Sequence, residues 1–175
     1  QLYMHHDQPL EKTELAAFAN PRKAGIIAIN LIEGDELIAA VRSSGSDDVL
    51  LATREGKSIR FHEQDARPMG RSATGVRGIH LTRDDQVVGM EILTNPAAKI
   101  LTTTERGYGK RTPLDEYRPQ NRGGQGIINI RANERNGWGV GIAQGFDDDD
   151  VMLITDGGKV LRCPVNGISS MGRAT

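Results

Sequence analysis

Cysteine is almost absent from the 175-residue chain: Cys163 stands alone. A lone thiol excludes an internal disulfide framework and a cysteine-based metal cluster, and it fits a reducing, cytoplasmic setting. Aromatic residues make up only 4% of the chain, so a core has to be built from Ile, Val and Leu. Charge of one sign is lacking too. The formal net charge of −1 shows none of the basic excess expected of a nucleic-acid binder, unless opposite charges are segregated. No apolar run approaches the roughly 18 residues of a membrane span. The N-terminus has neither the basic nor the apolar region of a signal peptide. Helical periodicity is scarce, with one short candidate at Glu11–Phe18. His5-His6 has no partner pattern for a metal and reads as an exposed terminus.

Glycine, by contrast, is plentiful. Twenty-one glycines and seven prolines fit many tight turns better than long helices. Gly25-Ile26-Ile27-Ala28-Ile29 returns as Gly75-Val76-Arg77-Gly78-Ile79, and again as Gly126-Ile127-Ile128-Asn129-Ile130. A second anchor pairs glycine with arginine at Gly56/Arg60, Gly107/Arg111 and Gly158/Arg162. Both anchors share a period of about 50 residues, which marks modules that cannot bury their own apolar face and must stack on neighbours. The repeats run over 25–74, 75–125 and 126–175, with the tail of a preceding blade at 1–24.

Each module contains four short β-prone runs. The first is Ile26–Leu31, Val76–Leu81 or Ile127–Arg131, and the second is Glu36–Val41, Gln86–Leu93 or Trp138–Ala143. The third is the most apolar: Val49–Thr53, Lys99–Thr103 or Val151–Thr155. A glycine turn leads to the fourth, at Lys57–His62, Lys110–Thr112 or Lys159–Cys163. Four such runs separated by turn residues predict a four-stranded sheet. Repetition of that unit predicts an all-β, propeller-like array with about three blades present. Both ends fall inside a module: Lys12-Thr13 corresponds to Arg60-Phe61, and Met171–Thr175 to Met69–Thr74. The chain is therefore expected to be a piece of a longer array.

The repeat alignment also uncovers segregated charge. Arg22, Arg71, Arg122 and Arg173 recur in the long loop before each glycine anchor. Lys23 and Arg77 flank it, and the fourth runs carry Lys57 and Arg60, Lys110 and Arg111, Lys159 and Arg162. Acidic residues gather at Asp47-Asp48 and Asp147–Asp150. A basic rim of this kind suits a bent phosphate backbone, because repeated positive charges along a curved wall ignore base identity. Gly123 and Gly124 would let backbone N–H groups approach phosphates closely. The competing view is a rim of ordinary solvated charges with glycines serving only as turns.

Several segments resemble the C-terminal domain of DNA gyrase A: Gly34–Ile38, Met69–Ile79, Gly107–Thr112 and Glu134–Gly137. The similarity covers nearly the whole chain beyond Leu10 and keeps module order. The corresponding protein of topoisomerase IV shares the repeat. The resemblance implies a β-pinwheel, a disc of blades with strand exchange between neighbours. It implies that duplex DNA wraps the basic perimeter, giving the crossover from which gyrase introduces negative supercoils. It further implies, as partners, the remainder of gyrase A together with gyrase B in an A2B2 holoenzyme in the bacterial cytoplasm, with no membrane contact. No cofactor is expected in this chain, since ATP and magnesium are used in other domains. The family's box, Gln-Arg-Arg-Gly-Gly-Lys/Arg-Gly, is matched by Gln120, Arg122, Gly123, Gly124 and Gly126, but Asn121 and Gln125 stand where basic residues are expected. This is a degenerate copy in a later module, and the true box is expected upstream of residue 1.

Catalytic readings fare poorly. Tyr3, Tyr108 and Tyr117 lie in no cleavage motif, and His62 and His80 have no nucleophile or carboxylate partner pattern. Tyr108 is expected to be a packing or rim residue, and Cys163 a small strand residue. Consecutive carboxylates at Asp147–Asp150 point alternately to opposite faces of an extended segment, so they suit a solvated hairpin tip better than a cation cage. Trp138 is expected in core or blade-interface packing. A protein-binding propeller is the alternative from another class, and a glycosidase-like propeller lacks recurring paired carboxylates.

Overall fold

The computed structural model describes residues 1–5, 7 and 9–175. Among these there are thirteen strands, four one-turn 3-10 helices and no α-helix. The strands form four antiparallel sheets. The first runs in the order β3 (Leu37–Val41), β1 (Leu2–His5), β2 (Pro9–Lys12), β6 (Val76–Arg77). In the second, β7 (Val87–Leu93), β4 (Asp48–Thr53), β5 (Lys57–His62) and β10 (Ile127–Ile128) follow the same order. The third holds β11 (Gly139–Gly145), β8 (Lys99–Thr104) and β9 (Gly109–Pro113), and the fourth pairs β12 (Asp150–Ile154) with β13 (Val160–Pro164).

A blade is therefore not a sequence repeat. The second, third and fourth runs become strands almost where the pattern places them. The first run leaves its own module: Val76 pairs with Leu10, and Ile127 with Ser58. Each full sheet thus combines strands from three stretches of the chain, which is the exchange of a pinwheel. The first runs are also shorter than expected, two residues each. Ile26–Leu31 forms no strand at all. Ile27 and Leu31 are exposed.

Stacking explains why the centre of β4, residues 49–52, is a continuous apolar run. Val49 and Leu51 enter one cluster with Leu2, Met4, Ile59, Phe61 and Met90. Leu50 points the other way, into a cluster with Leu93, Ile100, Leu114 and Tyr117. All three are fully buried, because the period of two sends alternate residues into two different blade interfaces. Strands β3, β7 and β11 pack against each other in succession and so form the inner wall. The opposite sheet edges, β6 and β10, lie on the outer perimeter.

Two local expectations fail. His5 is 1% exposed, with Nε2 3.4 Å from Glu11 and Nδ1 3.2 Å from Asp35. It sits at the end of β1, which is covered by a strand on each side, so it is no exposed terminus; His6 lies outside the described residues. Burial also pushes the Glu11 carboxyl up, against the opposing pull of His5. The expected helix at Glu11–Phe18 is replaced by the end of β2 and a single 3-10 turn at Leu15–Phe18. Glu11 is already paired with Tyr3 in the sheet.

A cation at one register position bolts successive blades together. Lys12, Arg60, Arg111 and Arg162 stand opposite Leu2, Leu50, Leu101 and Met152. Lys12 reaches the carboxylate of Glu63 at 3.0 Å and donates to its carbonyl at 3.2 Å. Arg60 pairs with Asp48 at 2.7 Å and donates to the carbonyls of Leu114 and Tyr117. Arg111 pairs with Asp147 and donates to the carbonyls of Ile168 and Asn166. Each cation thus satisfies carbonyls in or beside the 3-10 turn that follows the next blade (Glu63–Asp65, Leu114–Glu116 or Val165–Gly167). Arg162 pairs with Asp150 within its own hairpin.

These features give two expected outcomes. Gly126 has φ +69°, and an added Cβ would meet the Ser58 carbonyl oxygen at 2.5 Å. Gly126→Ala should lose about 2–4 kcal/mol in denaturant unfolding, from the left-handed backbone and the clash together. Gly25→Ala, with nothing within 4 Å, should lose only about 1–2 kcal/mol. Burial would raise the Glu63 carboxyl, but the N–H groups of Asp47 and Gly45, the Ser43 hydroxyl and Lys12 outweigh it and bring it down to about 2. The stability that Glu63 contributes is full above about 4.5, its ordinary value, and is lost as pH falls toward 2. Glu63→Gln should cost on the order of 2 kcal/mol at neutral pH and flatten the acid limb of a Tm–pH profile.

Candidate nucleic-acid interface

The perimeter is built by three straps, the long segments after the 3-10 turns at Glu63–Asp65, Leu114–Glu116 and Val165–Gly167. The middle strap runs across the outside of β5: the Gln120 N–H donates to the Arg60 carbonyl at 2.7 Å and Arg60 bridges Pro119. The Met69 and Met171 N–H groups make the same bond to the carbonyls of Lys12 and Arg111, both at 2.8 Å. Strap residues thus add to the edge of the preceding blade. This is why loops that look irregular in sequence hold a fixed course.

The strap arginines are anchored by backbone oxygen. Arg71 donates to the Ile27 carbonyl at 2.6 Å. Arg122 donates to the carbonyls of Arg77 at 2.6 Å and Asp65 at 2.9 Å. Arg173 donates to the carbonyls of Ile128 and, at 3.2 Å, Glu116. A guanidinium has five N–H donors in a rigid fork, so two bonds to carbonyls orient it and leave others for a ligand. All three side chains remain partly exposed.

The degenerate box, Gln120 to Gly126, is the middle strap itself. The Gly123 N–H is not free for a phosphate, contrary to the expectation for that glycine. The Gly123 N–H donates to Gly78 at 2.9 Å, and the Gly124 carbonyl accepts from His80 at 2.8 Å. Gly123 is required by its backbone, φ +79°, and Arg77 lies in ordinary contact with it. The bond from the Arg122 guanidinium to the Arg77 carbonyl puts Arg77 and Arg122 side by side. Asn121 and Gln125 are both exposed on the same strap.

The other candidates divide sharply. Arg22, Lys23, Arg77 and Lys159 are exposed and Lys57 partly so. Arg22 and Arg71 share an open cleft of about 560 Å³ with Ala16, Asn20, Gly25 and Ile27. Arg60, Lys110 and Arg111 are corrections. Lys110 is 3% exposed and Arg111 6%, and Arg60 is consumed by Asp48 and two carbonyls. Strand alternation and blade stacking turn these cations inward, where carbonyls compensate the lost hydration. Two further arginines, Arg67 and Arg118, are exposed here although the repeat pattern did not single them out. Each precedes a proline at the start of a strap, and the recurring Arg-Pro dipeptide was the available signal.

Burial pushes the Tyr117 hydroxyl up to about 12, and it donates to Asn129 at 2.6 Å. Tyr108 is 47% exposed. Trp138 lies under the Arg54 guanidinium, 5.3 Å from the ring centroid. Asp147 is taken up by Lys99 and Arg111, which hold its carboxyl below the usual carboxylate range. Among the described residues no three His, Cys, Asp or Glu side chains converge on a metal position. No helix there is long and apolar enough to cross a membrane.

The architecture has counterparts. A family model described as the DNA gyrase C-terminal domain, beta-propeller, matches residues 12–44, 47–94, 98–137 and 149–175. The DNA gyrase A protein of Salmonella typhimurium is 51% identical over 166 residues, and that of Escherichia coli 46%. Each alignment covers 95% of this chain but only 19% of the relative. Among solved structures, the C-terminal domain of DNA topoisomerase IV superposes with a TM-score of 0.93 at 25% identity, over 99% of this chain and 55% of that one. The DNA gyrase A C-terminal domain superposes with a TM-score of 0.88 at 26% identity, over 99% and 58%. The fold is thus common to both enzymes, while the family model and these two sequence relatives are those of gyrase. The chain belongs to the DNA gyrase A C-terminal domain family.

Proposed function

We propose that this chain is a non-catalytic DNA-wrapping element, binding duplex DNA around its outer perimeter without regard to sequence. The observation that carries this reading is the side-by-side placement of Arg77 and Arg122 on the middle strap. The Arg122 guanidinium is oriented by carbonyls. That of Arg77 is engaged by no hydrogen bond or ion pair among the described residues. Arg71 and Arg173 hold the equivalent places on the flanking straps, with Arg22, Lys23, Lys57 and Lys159 as further phosphate contacts. Repeated cations along a curved edge neutralise phosphates of a bent duplex, and counterion release makes such binding weaken steeply with salt. Family membership makes this element part of gyrase A. Its partners would then be the rest of that protein and gyrase B in a cytoplasmic A2B2 enzyme that introduces negative supercoils. Strand cleavage, ATP and magnesium would belong to other domains, with no cofactor here.

Gel-shift titrations of a duplex at several salt concentrations test the reading. Arg77→Ala should weaken binding severalfold, equally across sequences, and reduce the slope of log K against log salt by about one. Its Tm should stay unchanged, since its side chain supports no other element. Arg111→Ala should do the reverse, lowering Tm through the lost blade bolt. Equal affinity of wild type and Arg77→Ala at all salts would overturn the perimeter assignment.

A further inference from the structure

Lys110 is a buried cation that neither the apolar core nor a salt bridge accounts for. It is 3% exposed and stands on β9 between Gly109 and Arg111. Its counterparts in the preceding blades, by register, are Glu11 opposite Tyr3 and Ile59 opposite Leu51. A lysine here is specific to the third blade. The Lys110 Nζ donates to the carbonyls of Gly172 at 2.7 Å and Arg173 at 2.6 Å, and to the Thr175 hydroxyl at 3.1 Å. An ammonium has three protons, so all are committed to one segment, the strap at residues 171–175. Glu116 and Arg173 are the charged groups that act on it.

We propose that Lys110 is a positioning residue for the DNA perimeter: its ammonium clasps the third strap and holds Arg173 on the rim. The inference rests on the perimeter reading above. The strap has other fastenings as well: the Met171 N–H bonds to the Arg111 carbonyl, Arg131 donates to the carbonyls of Ala174 at 2.9 Å and Thr175 at 3.2 Å, and Arg173 bonds to Ile128 and Glu116. The middle strap has the matching bonds, Gln120 to Arg60 and His80 to Gly124, but there Ile59 stands where the third strap has the Lys110 ammonium. Lys110 thus supplies through charge what Ile59 supplies through packing. Burial drags the Lys110 ammonium down to about 8, so the charge is a cost to folding that the strap contacts offset in part. A residue kept only for stability would be better as an apolar side chain.

A double-mutant cycle on the full chain tests the clasp, with duplex affinity and strap hydrogen exchange as readouts. Lys110→Met should leave Tm level or raised while speeding exchange of the Met171 amide. Its duplex affinity should fall on the order of 5-fold, the loss expected for one phosphate contact. Arg173→Ala should fall by a similar factor, and the double variant should be no weaker than Arg173→Ala, because the two act as a unit. Lys110→Arg should restore both exchange protection and affinity. Additive losses, or unchanged Met171 exchange in Lys110→Met, would overturn the clasp. If Arg173→Ala bound DNA as wild type while Lys110→Met loosened the strap, the clasp would stand as a structural fastening, and its proposed role in DNA binding would fall with the assignment of Arg173.

Discussion

The exchanged strand is the constraint from which the rest of the molecule hangs. Two short ladders, β6 on β2 and β10 on β5, tie the start of one repeat to a sheet formed far upstream. A ladder of two residues is weak alone. It holds because a left-handed glycine turns the chain onto the sheet edge, and because the strap before it is pinned along the same edge. At Gly56 the approach is closest of all: an added Cβ would lie 2.2 Å from the Ile130 carbonyl oxygen. Backbone meets backbone there, with no room for a side chain. Gly107 and Gly158, the counterparts of Gly56, meet nothing within 4 Å, and what the recurring anchor shares is the left-handed backbone, with φ of +83°, +80° and +75°.

Once the straps are fixed, the cations sort themselves by geometry. Lys12, Arg60 and Arg111, each on the second strand of its hairpin, face inward to the next blade's 3-10 turn and become bolts. Those on the straps lie outside and are oriented by carbonyls from the start of their own repeat and, for Arg122 and Arg173, also from the repeat before. A charged group near buried carbonyls and one near phosphates look alike in a sequence, because both need a donor-rich cation. Only the direction of the side chain separates Arg60 and Arg111 from Arg71 and Arg122. The clasp of Lys110 falls between the two classes, since it is buried itself but acts on a residue at the surface.

Much of the fold was legible because its signals are local. Alternation and glycine turns locate the second, third and fourth strands of each module closely, and the doubly apolar Val49–Leu51 run announces burial on both faces. The first runs were over-extended, since their strand length depends on a partner more than sixty residues away in the chain. His5 was misjudged for a related reason. Nothing near it in sequence reveals that Asp35 and Glu11 close over it from two other elements. The site was half legible: the recurrence of arginine was plain, but Arg67 and Arg118 went unnoticed beside their prolines.

The sequence by itself determined the repeat, the all-β class, the family and the residue types of the rim, because these follow from short-range pattern and composition. Tertiary structure alone decided which repeat contributes which strand to a blade, and which cations face water. The physical reason is that strand partners and inward faces are set by contacts between residues some fifty to seventy positions apart. No local propensity encodes a pairing at that range. A neutral chain acquires a basic perimeter only when folding turns part of its positive charge inward onto carbonyls and leaves the remainder on the straps.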